Sequence, residues 1–290
     1  MTTDPLRLGT RGSPLALTQS GHVAAAITAA TGVPVELVVI TTRGDRDQAS
    51  PLRQIGGKGL FTAELEEGLR DGSLDLAVHS LKDLPTDDAP GLVLGAVPLR
   101  ADPRDVLIGP PLSALRPGAV VGSGSPRRVA QLRALRPDLQ TVELRGNVDT
   151  RLRRVDEGRV QATLLAAAGL ARLGIARPDV HPLSVDEMVP APGQGALAVQ
   201  IRAGDARVAA LVGAIDDADT RACTSAERAF LHALSGGCSV PAACHVRRVG
   251  EGFAGVAVLE AGGQLRRAAR TGTDPVALGA ALAADVRPRS

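Results

Sequence analysis

Tryptophan and tyrosine are absent from this 290-residue chain, and phenylalanine occurs three times. Proteins that read single strands or RNA loops stack bases on aromatic side chains, so this composition argues against a nucleic-acid binder. Lysine is nearly as scarce: of 33 basic residues two are lysine, Lys58 and Lys82, and the rest are arginine. A chain that writes arginine wherever any cation will serve is expected to keep lysine where a compact ammonium on a flexible stem is needed. Cysteine occurs three times, at Cys223, Cys238 and Cys244, which cannot all pair within one chain; thiols in a reducing compartment are expected. No apolar run approaches the ~18 residues of a membrane span. The first strand-like run, Leu6 to Thr10, begins too near Met1 to leave room for a secretory signal. A soluble, cytoplasmic protein with no membrane partner is the expectation.

What is present is ordinary for a globular protein of two or three domains: 44% hydrophobic and 22% charged residues. The net charge of +2 hides a local imbalance, for nine arginines face five acids between Ser125 and Val160. Such a patch suits an anionic small molecule or a phosphate backbone, or is a solvated helix face. Strand-length apolar runs alternate with helical patterns, predicting an α/β fold with largely parallel sheets. The runs are 6–10, 35–41, 74–79, 92–97, 120–122, 141–144, 161–165 and 196–201. Proline-bearing segments at 98–103 and 189–194 read as hinges. After about Ala218 the pattern changes to a helix (220–234), three antiparallel-looking strands (245–249, 253–259, 264–271) and a terminal helix (275–286). The expected division is a discontinuous first domain (1–98 with 195–216), a second (99–194) and a smaller α+β third (217–290).

One pattern occurs twice. Gly9-Thr10-Arg11-Gly12-Ser13-Pro14 and Gly122-Ser123-Gly124-Ser125-Pro126-Arg127-Arg128 each read strand end, small-residue turn, Ser at the N-cap, Pro at the first helical position. Such a helix start offers backbone N–H groups to an anion, and its repetition beside arginine suggests two similar domains that present anion sites to a shared cleft. Arg145-Gly146-Asn147, Arg151 and Arg172 add cations at strand ends and helix starts, and several arginines together would hold a polycarboxylate. Asp83 follows a strand, where ligands of open α/β sheets bind; it could equally cap a turn. Cys238 sits behind Gly236-Gly237, which clears space around its sulfur, although a buried inert thiol is the commoner fate of cysteine. Gly56-Gly57-Lys58-Gly59 lacks the spacing of a phosphate-binding loop, and no metal site is expected.

These segments, in order, resemble the porphobilinogen deaminase family. The resemblance is carried by Arg11-Gly12-Ser13-Pro14-Leu15-Ala16, Thr42-Arg43-Gly44-Asp45, Gly57-Lys58-Gly59-Leu60-Phe61, His79-Ser80-Leu81-Lys82-Asp83, Ser125-Pro126-Arg127-Arg128, Leu144-Arg145-Gly146-Asn147, Pro192-Gly193-Gln194-Gly195 and Gly236-Gly237-Cys238. It implies two domains like type II periplasmic binding proteins, a third domain, and a dipyrromethane cofactor joined to Cys238 as a thioether. It further implies that four porphobilinogens are added head to tail with loss of ammonia and that water releases hydroxymethylbilane. On this resemblance Asp83 is the catalytic residue, stabilising the cation left on the incoming pyrrole. Lys82, Ser123, Ser125, Arg127, Arg128, Arg145 and Gly146 would hold the cofactor. Arg11, Ser13, Lys58, Phe61, Arg151, Arg172 and Gln194 would contact substrate, and Phe61 would cover Asp83. A monomer is implied. Two positions depart from the family pattern: Gln54 stands where some relatives carry a lysine, and Pro126 replaces a larger apolar residue. A two-domain module that binds an anion without chemistry is the competing reading, and nothing in such a module requires Gly-Gly-Cys in a third domain.

Overall fold

The structure is a computed structural model and describes residues 4–42, 62–234 and 240–288. Lys58, Phe61, Cys238 and Gln54 lie outside the described residues. In chain order the elements are β1 (Leu6–Arg11), α1 (Pro14–Thr31), β2 (Val35–Ile40), α2 (Ala63–Arg70), β3 (Leu76–Ser80), a 3-10 turn (Leu81–Asp83), β4 (Leu92–Ala96) and β5 (Asp105–Ile108). They continue with a second 3-10 turn (Leu112–Ala114), β6 (Val120–Gly122), α3 (Pro126–Leu135), β7 (Gln140–Val142), α4 (Val148–Asp156), β8 (Ala162–Ala166), α5 (Ala167–Arg172), β9 (Val180–Pro182) and β10 (Leu197–Arg202). The chain closes with α6 (Ala206–Gly213), α7 (Ala218–Ala233), β11 (Ala242–Val249), β12 (Gly252–Ala261), β13 (Gln264–Gly272) and α8 (Pro275–Val286). It forms two compact units, Met1–Arg100 with Ala196–Arg221, and Ala101–Gly195 with Ala222–Ser290.

The first unit is built on a sheet of order β2-β1-β3-β10-β4. β1 runs parallel to β2 and β3, whereas β10 is antiparallel to both β3 and β4. Leu6 and Leu8, on one face of β1, meet Val23 and Ile27 of α1, Leu76 of β3 and Val199 of β10 in the core. A fully enclosed leucine of this kind contributes on the order of 1.5–3 kcal/mol. Ser13 caps α1 by accepting the Ala16 N–H (3.3 Å), Pro14 occupies the first turn, and Gly32, left-handed at φ 73°, ends the helix.

The second unit contains a sheet of order β7-β6-β8-β5-β9. β6 is parallel to β7 and β8, and β5 is antiparallel to β8 and β9. If the strand that enters each sheet from the rest of the chain is set aside (β10 in one, β5 in the other), both sheets have their own strands in the order second, first, third, fourth. The repeated Ser-Pro helix start thus belongs to a repeated topology. The expectation of largely parallel sheets is corrected to an even mixture, because the entering strand runs against both neighbours. The short strands β5 and β9 lie outside the runs that the sequence marks: β5 opens on an aspartate just after a proline-bearing segment and shows no alternation.

A three-stranded antiparallel sheet, β11-β12-β13, completes the second unit. Alternate residues Cys244 and Val246 of β11 and Phe253, Ala257 and Leu259 of β12 pack on Cys223, Ala226 and Phe230 of α7 and on Leu278, Leu282 and Val286 of α8. The period-2 and helical periodicities of this region therefore meet in one core. The opposite face contributes Ala243 and Val258, which pack on Val189. No helix among the described residues is long and apolar enough to cross a membrane.

Candidate active site

In the first unit, parallel β1 and β3 bring their C-terminal ends side by side. β1 ends on Arg11, and Ser13 follows at the cap of α1. β3 runs directly into the 3-10 turn Leu81–Asp83. Residues three apart share a face in such a turn, and Leu81 and Leu84 are buried together against Val97, Ala196 and Ala198. Lys82 and Asp83, between them, are turned the other way, and Asp83 is exposed. The apolar spacing of Leu81 and Leu84 thus sets the direction of the expected catalytic carboxylate.

Two side-chain bonds fix the end of β3 just before that turn. The Gln19 amide of α1 donates to the Ser80 hydroxyl (3.0 Å). The His79 ring Nε2 lies 3.0 Å from Gln200 Oε1 on β10, both groups being buried. Burial drives the His79 pKa down to about 4, against the opposing effect of the Gln200 bond, so the ring is neutral at physiological pH. A cavity of about 310 Å³ lies behind this loop, lined by Glu66, Arg70, Leu84, Pro85 and Gln200 among others. None of the expected site residues lines it.

In the second unit three of the expected residues, Arg127, Arg128 and Gln194, converge on an aspartate that no local pattern marks. Asp105, first residue of β5, is fully enclosed. Arg127 donates to it through Nη1 (2.6 Å) and Nη2 (3.2 Å). Arg128 donates through Nε (2.9 Å) and Nη2 (2.7 Å), and the Gln194 amide adds a fifth bond at 3.0 Å. Burial alone would raise the Asp105 pKa and is the largest single influence, but the two guanidinium charges and these bonds together outweigh it and hold the carboxyl below its ordinary value. One carboxylate against two guanidinia leaves a unit of positive charge in the buried cluster.

The other expected residues of this unit have local partners. Ser123, at the end of β6, accepts the Ser125 N–H (3.2 Å), and Ser125 caps α3 by accepting the Arg128 N–H (3.5 Å). Arg151 donates to the Gly146 carbonyl (2.9 Å) and Arg172 to the Gly195 carbonyl (2.7 Å). Neither has a carboxylate partner among the described residues. Burial, and secondarily the charge of Arg128, pushes the Arg151 pKa down to about 10; burial also lowers that of Arg172. Gly146 has φ 107°, and a Cβ there would stand 2.7 Å from Thr150 Cγ2, so the strand-to-helix turn at Arg145-Gly146-Asn147 admits no side chain. Arg145 pairs with Glu143 at the surface (2.7 Å).

Three positions differ from the simplest sequence picture. Arg127 and Arg128 are buried and tied to Asp105 rather than held out as open cations. Gln194 is fully enclosed, with its amide on Asp105, on the Pro103 carbonyl (2.7 Å) and near Arg127. Its side chain is thus bonded within the cluster. No local pattern marks Asp105, because its partners lie 22, 23 and 89 residues away. The available signal was a lone aspartate opening the apolar run Asp105-Val106-Leu107-Ile108 in a chain crowded with arginine.

Comparison with known proteins agrees along the chain. Residues 6–210 match the family model described as "Porphobilinogen deaminase, dipyromethane cofactor binding domain", and residues 221–287 match "Porphobilinogen deaminase, C-terminal domain". The porphobilinogen deaminase of Leifsonia xyli subsp. xyli is 54% identical over 81% of this chain and 74% of that one. That of Roseiflexus castenholzii is 47% identical over 97% of this chain and 95% of its own length. Porphobilinogen deaminase 1 of Streptomyces coelicolor is 46% identical over 99% and 96%. Among solved structures, the methionine binding protein MetQ has 13% identity and a TM-score of 0.44 over 74% of this chain and 91% of that one, a loose likeness on which nothing here depends. Repeated domain topology, an arginine-rich site and matches spanning nearly its whole length agree on one assignment: the chain belongs to the porphobilinogen deaminase family.

Proposed function

We propose that this chain carries out its family's reaction, the head-to-tail polymerisation of four porphobilinogens with loss of ammonia, through the following division of labour. Cys238 carries the dipyrromethane primer as a thioether. Lys82, Ser123, Ser125, Arg127, Arg128, Arg145 and Gly146 would hold the primer, and Arg11, Ser13, Lys58, Phe61, Arg151 and Arg172 would meet the incoming substrate. Gln194 supports the arginines from behind. The bound dipyrromethane supplies a nucleophilic pyrrole carbon on which the chain grows. The protein's own residues do the rest: they neutralise acetate and propionate arms, exclude water and hold a charge at the reacting ring.

The observation that carries this reading is the surplus of positive charge in the second unit. Asp105 balances one of its two guanidinium partners, and among the described residues Arg151 and Arg172 bond to main-chain carbonyls without a carboxylate partner. Such a cluster suits a ligand with several carboxylates, and bidentate pairing to carboxylate is what arginine does best. The donors suit the acid arms of linked pyrroles in charge.

Asp83 acts where charge develops. Loss of ammonia leaves a cation on the incoming pyrrole, and a carboxylate ~4 Å away stabilises it by about 4 kcal/mol at an effective dielectric near 20. The rigid backing of the loop by Leu81 and Leu84, by the Ser80–Gln19 bond and by the His79–Gln200 contact keeps that carboxylate in place without reorganisation. The chain divides, on this reading, into domains 1–98 with 195–216, 99–194 and 217–290, and works as a cytoplasmic monomer with no nucleic-acid or membrane partner. The test is direct: purified protein incubated with porphobilinogen releases ammonia and a linear tetrapyrrole. Binding of porphobilinogen without release of either product would favour a module that only holds anions.

A further inference from the structure

Helix α7 carries a carboxylate on its apolar face. Cys223, Ala226 and Phe230 point into the core of the three-stranded sheet, and Glu227, on the same side, is fully enclosed. Its two oxygens accept main-chain N–H groups from two different segments. Gly193 donates to Oε2 at 2.7 Å, and Val246 of β11 donates to Oε1 at 2.9 Å. His245 Nδ1 stands 3.3 Å from Oε1. Enclosing a carboxylate is costly unless its bonds are made, and both Glu227 oxygens are bonded to main-chain donors from separate segments.

What it orients is the turn Pro192-Gly193-Gln194-Gly195. Gly193 and Gly195 take positive φ values of 74° and 88°, and a Cβ at Gly195 would stand 2.6 Å from the Ala101 carbonyl oxygen. The two glycines let the chain fold so that Gln194, between them, enters the cluster and bonds to Asp105. The carbonyl of Gly195 meets Arg172. The same turn therefore touches Asp105, Arg127 and Arg172, while its N-terminal side is held by Glu227.

We infer that Glu227 is a positioning residue for the carboxylate-binding cluster: it anchors the Pro192–Gly195 turn to α7 and β11, and through Gln194 it sets the orientation of Asp105 and its two arginines. This rests on the reading of that cluster as the holder of the pyrrole carboxylates. Two acceptor oxygens are required, because two amide donors converge on them. A glutamine offers one oxygen and turns its own N–H groups toward the second donor.

The test is a double-mutant cycle on the full-length holoenzyme with Glu227→Gln, Gln194→Ala and the pair, reading KM for porphobilinogen, kcat and the urea midpoint. Glu227→Gln is expected to raise KM roughly tenfold or more, with kcat moved far less, since small misplacements of binding groups cost that much. Because Glu227 acts through Gln194, the double variant should have a KM no higher than that of Gln194→Ala alone. A Glu227→Gln enzyme with wild-type KM and only a lowered urea midpoint would overturn the inference, as would KM effects that multiply in the double variant. Should Glu227→Gln fail to fold, Glu227→Asp, which keeps the charge but reaches one amide, takes its place in the cycle with the same two outcomes. A wild-type protein inactive toward porphobilinogen would instead sink the proposed function, so the two failures are told apart.

Discussion

Arg127 and Asp105 are joined at two points, Nη1 to Oδ2 at 2.6 Å and Nη2 to Oδ1 at 3.2 Å, both side chains being buried. Arg128 binds the same carboxylate, so two cations of one helix start share one anion of a neighbouring strand. Removing one member of such a group leaves buried charge without compensation. Asp105→Asn is expected to destabilise the protein by about 3–5 kcal/mol, read as the fall in urea midpoint. A loss below ~1 kcal/mol would show that the pairing contributes little.

His79 makes stability depend on pH. Its pKa falls from the ordinary 6.5 to about 4 on folding, because burial disfavours the charged ring. The unfolded chain therefore binds the extra proton first as pH drops. The contribution is fully present above pH 6.5 and is lost as pH falls from there towards 4, amounting to about 3 kcal/mol. Urea midpoints at pH 7.5 and 5 should differ more for the wild type than for His79→Gln. An equal difference would mean that His79 is not the titrating group.

Gly195 is expected to be costly to replace for two reasons, its φ of 88° and the carbonyl of Ala101 standing 2.6 Å from an added Cβ. Gly204 has a similar φ of 80° but open space around it. Gly204→Ala should therefore cost the strain alone, about 1–2 kcal/mol, and Gly195→Ala distinctly more. Equal midpoint shifts would remove the close approach from the explanation.

Asp83→Ala should retain the covalently bound primer and lose turnover by roughly 10²–10³, measured as tetrapyrrole formed per hour together with intact mass. Lys82→Arg should also impair turnover although the charge is kept, since a planar fork does not replace a compact ammonium. Near-normal activity in the first variant would reduce Asp83 to a turn residue. An unaffected second variant would mean that the retention of lysine at this position carries no function.

Much of this was legible in the chain because the signals are local. Ser13-Pro14 and Ser125-Pro126 announce helix starts through the bonds that a capping hydroxyl makes within three residues. Alternation in β11 to β13 and the spacing of α8 likewise reflect contacts of the segment with one core. What escaped was set by distant partners. Asp105 and Glu227 look like any acid until β5 is laid against β8 and α7 against the Pro192–Gly195 turn. The direction of β10 and β5, antiparallel to their neighbours, depends on where the chain comes from, which no window of residues contains. Gln194 sat in a recognised motif, yet its enclosure became visible only with Asp105 in place.

The central claim is a primer held by sulfur beside an arginine-rich cluster, and intact-mass measurement of protein expressed with porphobilinogen available tests it most directly. The wild type should exceed the mass of the bare chain by two linked pyrrole units, and Cys238→Ala should show the bare mass. A wild type at the bare-chain mass, or a Cys238→Ala protein that still carries the increment, would contradict the account.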